Sequence, residues 1–412
     1  MPILDIARLG AQGDGIADTP SGPVFVPFAL AGETVNAAVV RDRGTLVSVN
    51  QASPLRVEPP CRHFGECGGC TIQHLEDNAY RDWKQGRVVE QLARERLEAT
   101  VEPLVPCQPA SRRRVTFTAR RTERGIVLGY NRMHSHEIIA IEECPIALPR
   151  IVEALPAIRT VASLVARTKE PFHVTVTAAG NGLDIAATGG GKLEDADRRA
   201  AADAALALGV ARLSVDGEIV VEPTRPQILF GRASVTPPPG GFLQAVEAAE
   251  QAMAGLVCDH LAKSRKVADL FSGSGTFALR LAERSEVRAV EGDAAALAAL
   301  ERGFRFAPGL RRVTTEKRDL FRRPLTAKEL DAFDGLVFDP PRAGAEDQSR
   351  QIARSQVQRV AAVSCNPVTL ARDLRILVDG GYRILRVVPI DQFLWSGHVE
   401  AVVLLEKPKR RR

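Results

Sequence analysis

No stretch of the 412 residues stays apolar long enough to cross a bilayer. The opening Met1-Pro2-Ile3-Leu4-Asp5 lacks a basic segment followed by an apolar one. No export signal or membrane segment is therefore expected, and a cytoplasmic protein is anticipated. Internal repeats and low-complexity tracts are missing as well. Cysteine is scarce and odd in number: there are seven, and three fall between positions 61 and 70. In a chain without an export signal this argues for metal binding or catalysis rather than a disulfide framework. The excess of charge is small, only +5, and its placement says more than its size. Arg112-Arg113-Arg114, Arg120-Arg121, Arg311-Arg312, Arg322-Arg323 and the tail Lys407-Pro408-Lys409-Arg410-Arg411-Arg412 are basic clusters, the footprint of a polyanion partner.

The length suggests about two to four domains with ample core. Residues 1–57 alternate Gly-rich turns (Gly10, Gly13, Gly15) with short β-branched runs at Val24–Val26, Glu33–Val40 and Leu46–Val49. That pattern fits a five-stranded barrel of the oligonucleotide-binding kind. Residues 58–240 read as a central α+β domain. It carries an amphipathic helix at Asp82–Leu97, hairpins turning at Glu123-Arg124-Gly125, Asn181-Gly182 and Asp216-Gly217, and helical stretches near 150–166 and 192–207. Its Arg-rich first hairpin is placed to lie against a phosphate backbone. Thr236-Pro237-Pro238-Pro239-Gly240-Gly241 is a linker by composition. Beyond it, in 241–412, strand and helix alternate, as in a doubly wound parallel sheet. Strands are expected at Lys266–Phe271, Val287–Glu291, Val313–Thr315, Gly335–Phe338, Val360–Ser364, Tyr382–Ile390 and Ala401–Leu405.

Cys61, Cys67 and Cys70 are spaced C-x5-C-x2-C with glycines between them. Such a loop can turn several sulfurs toward one centre, and a fourth ligand must come from elsewhere. Cys144, followed by Pro145, is the best candidate, because Cys-Pro also occurs in cluster-binding runs. Cys107 and Cys258 compete without comparable local chemistry. Four-cysteine sites serve iron–sulfur clusters and zinc alike, so spacing leaves both open. No barrel-like βα repeat follows these cysteines, which argues against radical chemistry.

Asp269-Leu270-Phe271-Ser272-Gly273-Ser274-Gly275-Thr276-Phe277-Ala278 is a strand, a Gly-rich turn and a helix start, and Glu291 ends the next strand. Glycines let backbone approach a ligand, and an acid at the second strand end can hold two ribose hydroxyls. Gly273-x-Gly275-x-x-Ala278 fits a dinucleotide as well as S-adenosylmethionine. Later strand ends separate the two readings. One reads Asp339-Pro340-Pro341-Arg342, and another runs Val360–Val363 into Ser364-Cys365-Asn366-Pro367. Pro367 suits a first helical turn, so Cys365 falls at a strand end beside a helix N-terminus, where a thiol pKa can be lowered. A thiol and a carboxylate there suit joining a methyl donor to a carbon acceptor. They have no evident use in hydride transfer. Methylation of an amino group needs no thiol. A non-catalytic RNA-binding factor needs neither Cys365 nor Glu400.

In Phe242-Leu243-Gln244, Asp269–Phe277, Val290-Glu291-Gly292, Asp339–Ala345, Ser364–Pro367 and Gly397-His398-Val399-Glu400, the chain resembles the RNA uracil-C5 methyltransferases. The N-terminal part resembles the TRAM domain, and the cysteine set resembles the four-iron cluster site of the ribosomal-RNA branch. The resemblance implies a class I S-adenosylmethionine methyltransferase domain with a nucleophile at Cys365 and a base at Glu400. It implies cofactor contacts from Gln244, Phe271, Thr276, Glu291, Asp319 and Asp339, and a [4Fe-4S] cluster on Cys61, Cys67, Cys70 and Cys144. It further implies 23S rRNA as substrate, with tRNA the alternative. A monomer is expected. Two positions depart from the family pattern: Glu247 and Thr276 stand where Asn is often found.

Overall fold

A computed structural model of the protein describes residues 1–408. The end of the expected basic tail, Lys409-Arg410-Arg411-Arg412, lies outside the described residues.

The C-terminal part is built on a seven-stranded sheet. Its spatial order is Val313–Lys317, Glu286–Glu291, Lys266–Leu270, Gly335–Phe338, Arg359–Ser364, Glu400–Glu406 and Arg383–Ile390. The first five run parallel. Glu400–Glu406 is antiparallel to both of its neighbours. Strand order reverses between Lys266–Leu270 and Gly335–Phe338, the position where open α/β sheets form a ligand crevice. The apolar run before Cys365 is continuous because both faces of this sheet are covered. Val360 and Ala362 enter one core with Leu370, Leu374 and Leu377. Ala361 and Val363 enter the other with Met253, Val257, Leu279 and Leu300.

The helix expected at Asp82–Leu97 spans Asp77–Arg94. It starts a turn early because the Glu76 carboxylate caps the Ala79 amide at 3.0 Å. It ends where Arg96 takes a left-handed φ of 54°. Its Val88 and Leu92, with Leu97 and Leu104, share a core with the C-terminal sheet. The chain then runs along the outer edge of that sheet. Val101 pairs with Val387 and Val105 with Ile390, and Glu102 grips Arg386 through two contacts of 2.7 and 2.9 Å.

The central sheet has seven strands, with all three expected hairpins present. Leu155–Val165 and Asp195–Leu208 supply apolar residues to its core. The N-terminal sheet has six strands instead of five, in the order first, fifth, sixth, fourth, third, second. The extra strand is the two-residue Arg8–Leu9, too short to stand out in sequence. The turn after it touches the C-terminal part: a Cβ on Gly397 would meet the Ala11 carbonyl at 2.7 Å.

The arginine triplet does not form a free cationic face. Arg113 is buried against Glu250, which also binds Arg280. Arg114 donates to the Gly240 and Gly241 carbonyls, and Arg112 to the Arg114 carbonyl. A buried acid and the unpaired carbonyls of a linker claim these guanidinium groups before any phosphate can.

Candidate active site

Register brings the two expected catalytic residues together. Ser364 pairs with Ala401 across antiparallel strands, as Val363 does with Val402. Cys365 follows directly on that last pair and Glu400 directly precedes it, and the Glu400 carboxyl lies close enough to act on the Cys365 thiol. Asn366 caps the helix Pro367–Asp379 by accepting from the Val368 amide at 3.2 Å, and its Nδ2 donates to the Arg342 carbonyl at 2.9 Å. The cysteine loop is thereby tied to the loop that begins at Asp339.

The acids are joined through amides. Gln244 Nε2 donates to Asp339 Oδ2 at 3.0 Å. Gln392 Nε2 donates both to Gln244 Oε1 at 2.8 Å and to Glu400 Oε2 at 2.5 Å. Gln392 was not among the residues expected from sequence. It sits two positions past an apolar strand, with no periodicity to mark it. Burial raises the Asp339 carboxyl to about 7. Burial, with Asp339 nearby, raises Glu400 to about 8. The Cys365 thiol does not show the expected lowering. Burial, then Glu400 and Asp339, push it up to about 11, and Arg342 opposes them only in part. Two facing carboxyls and desolvation outweigh the helix terminus.

Gly273 and Gly275 have φ of 53° and 101°, and space stands open where a Cβ would be on Gly273. Glu291 Oε2 accepts from the Gly273 amide at 3.0 Å, and its Oε1 accepts from Gly292 and Asp293 at 2.7 and 2.9 Å. Phe271 holds a left-handed φ of 61°, a strained state for a bulky residue and of the kind found at ligand sites. Its ring packs against Phe321 at a tilt of 53°, with centroids 5.5 Å apart. Asp319 caps that neighbouring loop through the Phe321 amide at 3.0 Å, and its Cα lies 4.0 Å from a Cβ built on Gly292. Thr276 lies in the same Gly-rich turn, where its carbonyl accepts from Arg280.

Cys61, Cys67, Cys70 and Cys144 line one cavity of about 570 Å³, with Arg112, Tyr130 and His398 also on its wall. Burial raises each thiol, and Cys70 reaches about 12, with Cys144, Cys67 and Cys61 adding to the rise. Among the described residues, no group of three or more His, Cys, Asp or Glu side chains is arranged to hold a metal ion. Cys107 lies apart, its sulfur 3.3 Å from Ser111 Oγ. Cys258 lies on the helix Glu247–His260. The cysteine loop is bound to the segment leading to Glu400, because the Thr71 and Ile72 amides donate to the Trp395 carbonyl at 2.8 and 3.2 Å. Below it, Lys84 and Asp391 form an ion pair of 2.6 Å at 0% and 1% side-chain exposure. Tyr80 donates to the same carboxylate at 2.6 Å, and Lys84 donates to the Phe393 carbonyl at 2.9 Å. Among the described residues no helix is long and apolar enough to cross a membrane.

Residues 306–408 match the family model of tRNA (uracil-5-)-methyltransferases. An uncharacterized RNA methyltransferase of Mesorhizobium japonicum is 62% identical over 407 residues, covering 99% of this chain and 98% of the relative. The 23S rRNA (uracil(1939)-C(5))-methyltransferase RlmD of Halomonas elongata is 35% identical over 443 residues, covering 99% of this chain and 90% of its own length. In fold, the chain is similar to Pyrococcus abyssi tRNA (uracil-54, C5)-methyltransferase, solved in complex with S-adenosyl-L-homocysteine. The TM-score is 0.77 at 22% identity, with 98% of this chain and 99% of that one covered. With near-complete coverage by these relatives, the chain belongs to the RNA uracil-C5 methyltransferase family.

Proposed function

We propose that the protein methylates carbon 5 of a uridine in 23S rRNA, using S-adenosylmethionine and a covalent bond between Cys365 and C6. The observation that supports this reading is that the Cys365 thiol, just past the Ser364–Ala401 pair, lies within electrostatic reach of both Glu400 and Asp339. Carbon 5 of uracil is a poor nucleophile. When the Cys365 thiol gives up its proton to the neighbouring Asp339 carboxylate and Sγ bonds to C6, the C5–C6 π pair moves onto C5 and the O4 carbonyl, and C5 becomes an enolate carbon. S-adenosylmethionine, when bound, supplies an electrophilic methyl group. Its site would be the Gly273–Gly275 turn, with Phe271, Thr276, Glu291, Asp319, Gln244 and Asp339 around it. The open space over Gly273 and the fixed Glu291 carboxylate suit such a ligand. Glu400 then removes the C5 proton, and the C–H electron pair restores the double bond and expels the Cys365 thiolate. A carboxyl raised to about 8 is a stronger base than an ordinary one. Asp339 holds the pyrimidine or the methyl donor. A target base within folded RNA must be unstacked to reach this crevice. The N-terminal sheet, read as a TRAM-like module, and the exposed Arg311, Arg312, Arg322 and Arg323 grip phosphate.

Cys61, Cys67, Cys70 and Cys144 would hold a [4Fe-4S] cluster. A zinc ion needs four sulfurs within about 2.3 Å of one point. A cluster spreads its ligands around a larger body, which suits thiols on the wall of a shared cavity. Ribosomal RNA is favoured over tRNA by this cysteine set and by the 35% identical relative.

The test follows RNA–protein adducts on denaturing gels. Cys365→Ala should give no adduct and no product. Glu400→Gln should add, methylate and stall, leaving an adduct that depends on S-adenosylmethionine. An adduct from Cys365→Ala would refute the nucleophile, and full turnover by Glu400→Gln would refute the base.

A further inference from the structure

We infer that Gln392 is the positioning residue for the base, holding Glu400 Oε2 as a fixed acceptor so that proton abstraction falls to Oε1. This rests on the reading of Glu400 as the base. The polarity of the network follows from a single backbone group. The Ala245 amide can only donate, and it reaches Gln392 Oε1 at 3.2 Å. Gln392 must therefore turn its NH2 the other way, toward Gln244 Oε1 and Glu400 Oε2. Gln244 Oε1 is thus an acceptor, which leaves its NH2 for Asp339 Oδ2. Both carboxyls are consequently gripped at one oxygen by a donor that has no lone pair to accept a proton. Whatever proton either acid carries sits on its other oxygen, Glu400 Oε1 or Asp339 Oδ1.

The frame behind this chain is rigid. Gln244, Gln392 and Glu400 are 3%, 3% and 2% exposed. Arg113 fixes the backbone at 244–245, its amide donating to the Ala245 carbonyl at 2.8 Å and its Nε to the Gln244 carbonyl at 3.2 Å. Glu250 in turn fixes Arg113. The Gln392 hydrogen bond also opposes the burial that raises the Glu400 carboxyl. Removing it should loosen Oε1 and move its titration to higher pH.

Gln392→Met keeps the length and removes the amide. Gln392→Asn keeps the amide and shortens its reach. RNA carrying 5-fluorouridine at the target should still trap both variants, with a smaller loss of rate than release shows, because that trap reads thiol addition and methyl transfer but not proton removal. With natural RNA, adduct release should slow by about 10- to 100-fold, a part of the 10²–10⁴ that general base catalysis supplies. The pH limb of release should shift alkaline. Circular dichroism reports folding, and the trap reports an intact site. Release at the wild-type rate with an unshifted limb, in whichever variant folds, overturns the inference. So does equal loss of trapping and release, which would make Gln392 a general support of the crevice. Full turnover by Glu400→Gln would instead overturn the base assignment itself. The two failures are therefore distinguishable.

Discussion

Replacing Lys84 by Met would remove the cation from a pocket in which it and Asp391 are almost completely shielded from water. Breaking a buried pair by deleting one partner costs about 3–5 kcal/mol, since the remaining charge is left uncompensated. Asp391 would not be bare, because it keeps the Tyr80 hydroxyl at 2.6 Å and the Phe393 amide at 2.9 Å. The charge contribution should therefore lie near the lower bound, about 3 kcal/mol. The Phe393 carbonyl also loses one donor at 2.9 Å but keeps the Ser396 amide and hydroxyl at 3.1 and 2.8 Å, which adds at most roughly 1 kcal/mol. The expected loss is about 3–4 kcal/mol, read from urea midpoints with unchanged slope. If stranded charge is the cause, adding Asp391→Asn to Lys84→Met should recover at least about 1 kcal/mol of it, as a double-mutant cycle measures. A loss below about 1 kcal/mol for Lys84→Met, or a further loss in the double variant, would refute this account.

The remaining outcomes concern protons and iron. Asp339 and Glu400 are raised to about 7 and about 8 in the fold, against about 4 when unfolded. Their stabilising proton uptake is complete below about pH 4 and disappears as pH rises through their folded values. The melting temperature of wild type should accordingly fall more steeply than that of Glu400→Gln between about pH 5 and about pH 9, and the variant should be the more stable at the alkaline end. Parallel curves would contradict the raised carboxyl. Protein purified without oxygen should be brown and contain iron and acid-labile sulfide, which Cys144→Ser should lose and Cys107→Ser keep. Stoichiometric zinc with no iron would rule the cluster out.

The places of Cys365, Glu400 and the glycine turn were legible because each borders a strand with an apolar run, and a strand terminus is a definite place in an α/β sheet. The seven strands were legible for the same reason, with bounds moved by a residue or two. The Gln392 network was not. It joins positions 244, 339, 392 and 400 through side-chain hydrogen bonds, and such contacts leave no period in the chain. Basic clusters misled in a specific way. Arg112-Arg113-Arg114 reads like the exposed Arg311-Arg312, yet Arg113 is 4% exposed, because its partner Glu250 lies more than a hundred residues away. The thiol pKa was misjudged because a helix terminus is visible in sequence and facing carboxyls are not.

The segment that covers the outer strand Arg383–Ile390 is made early and used late. Val101 and Val105 pair with Val387 and Ile390, so some 280 residues leave the ribosome before the guard finds the edge it guards. N-terminal parts generally fold first during synthesis, but this stretch must wait. The helix Asp77–Arg94 waits with it, since its Lys84 closes onto Asp391. An open strand edge is a template for pairing with other chains. Removing residues 1–106 to isolate the methyltransferase portion would therefore yield a protein that associates edge to edge.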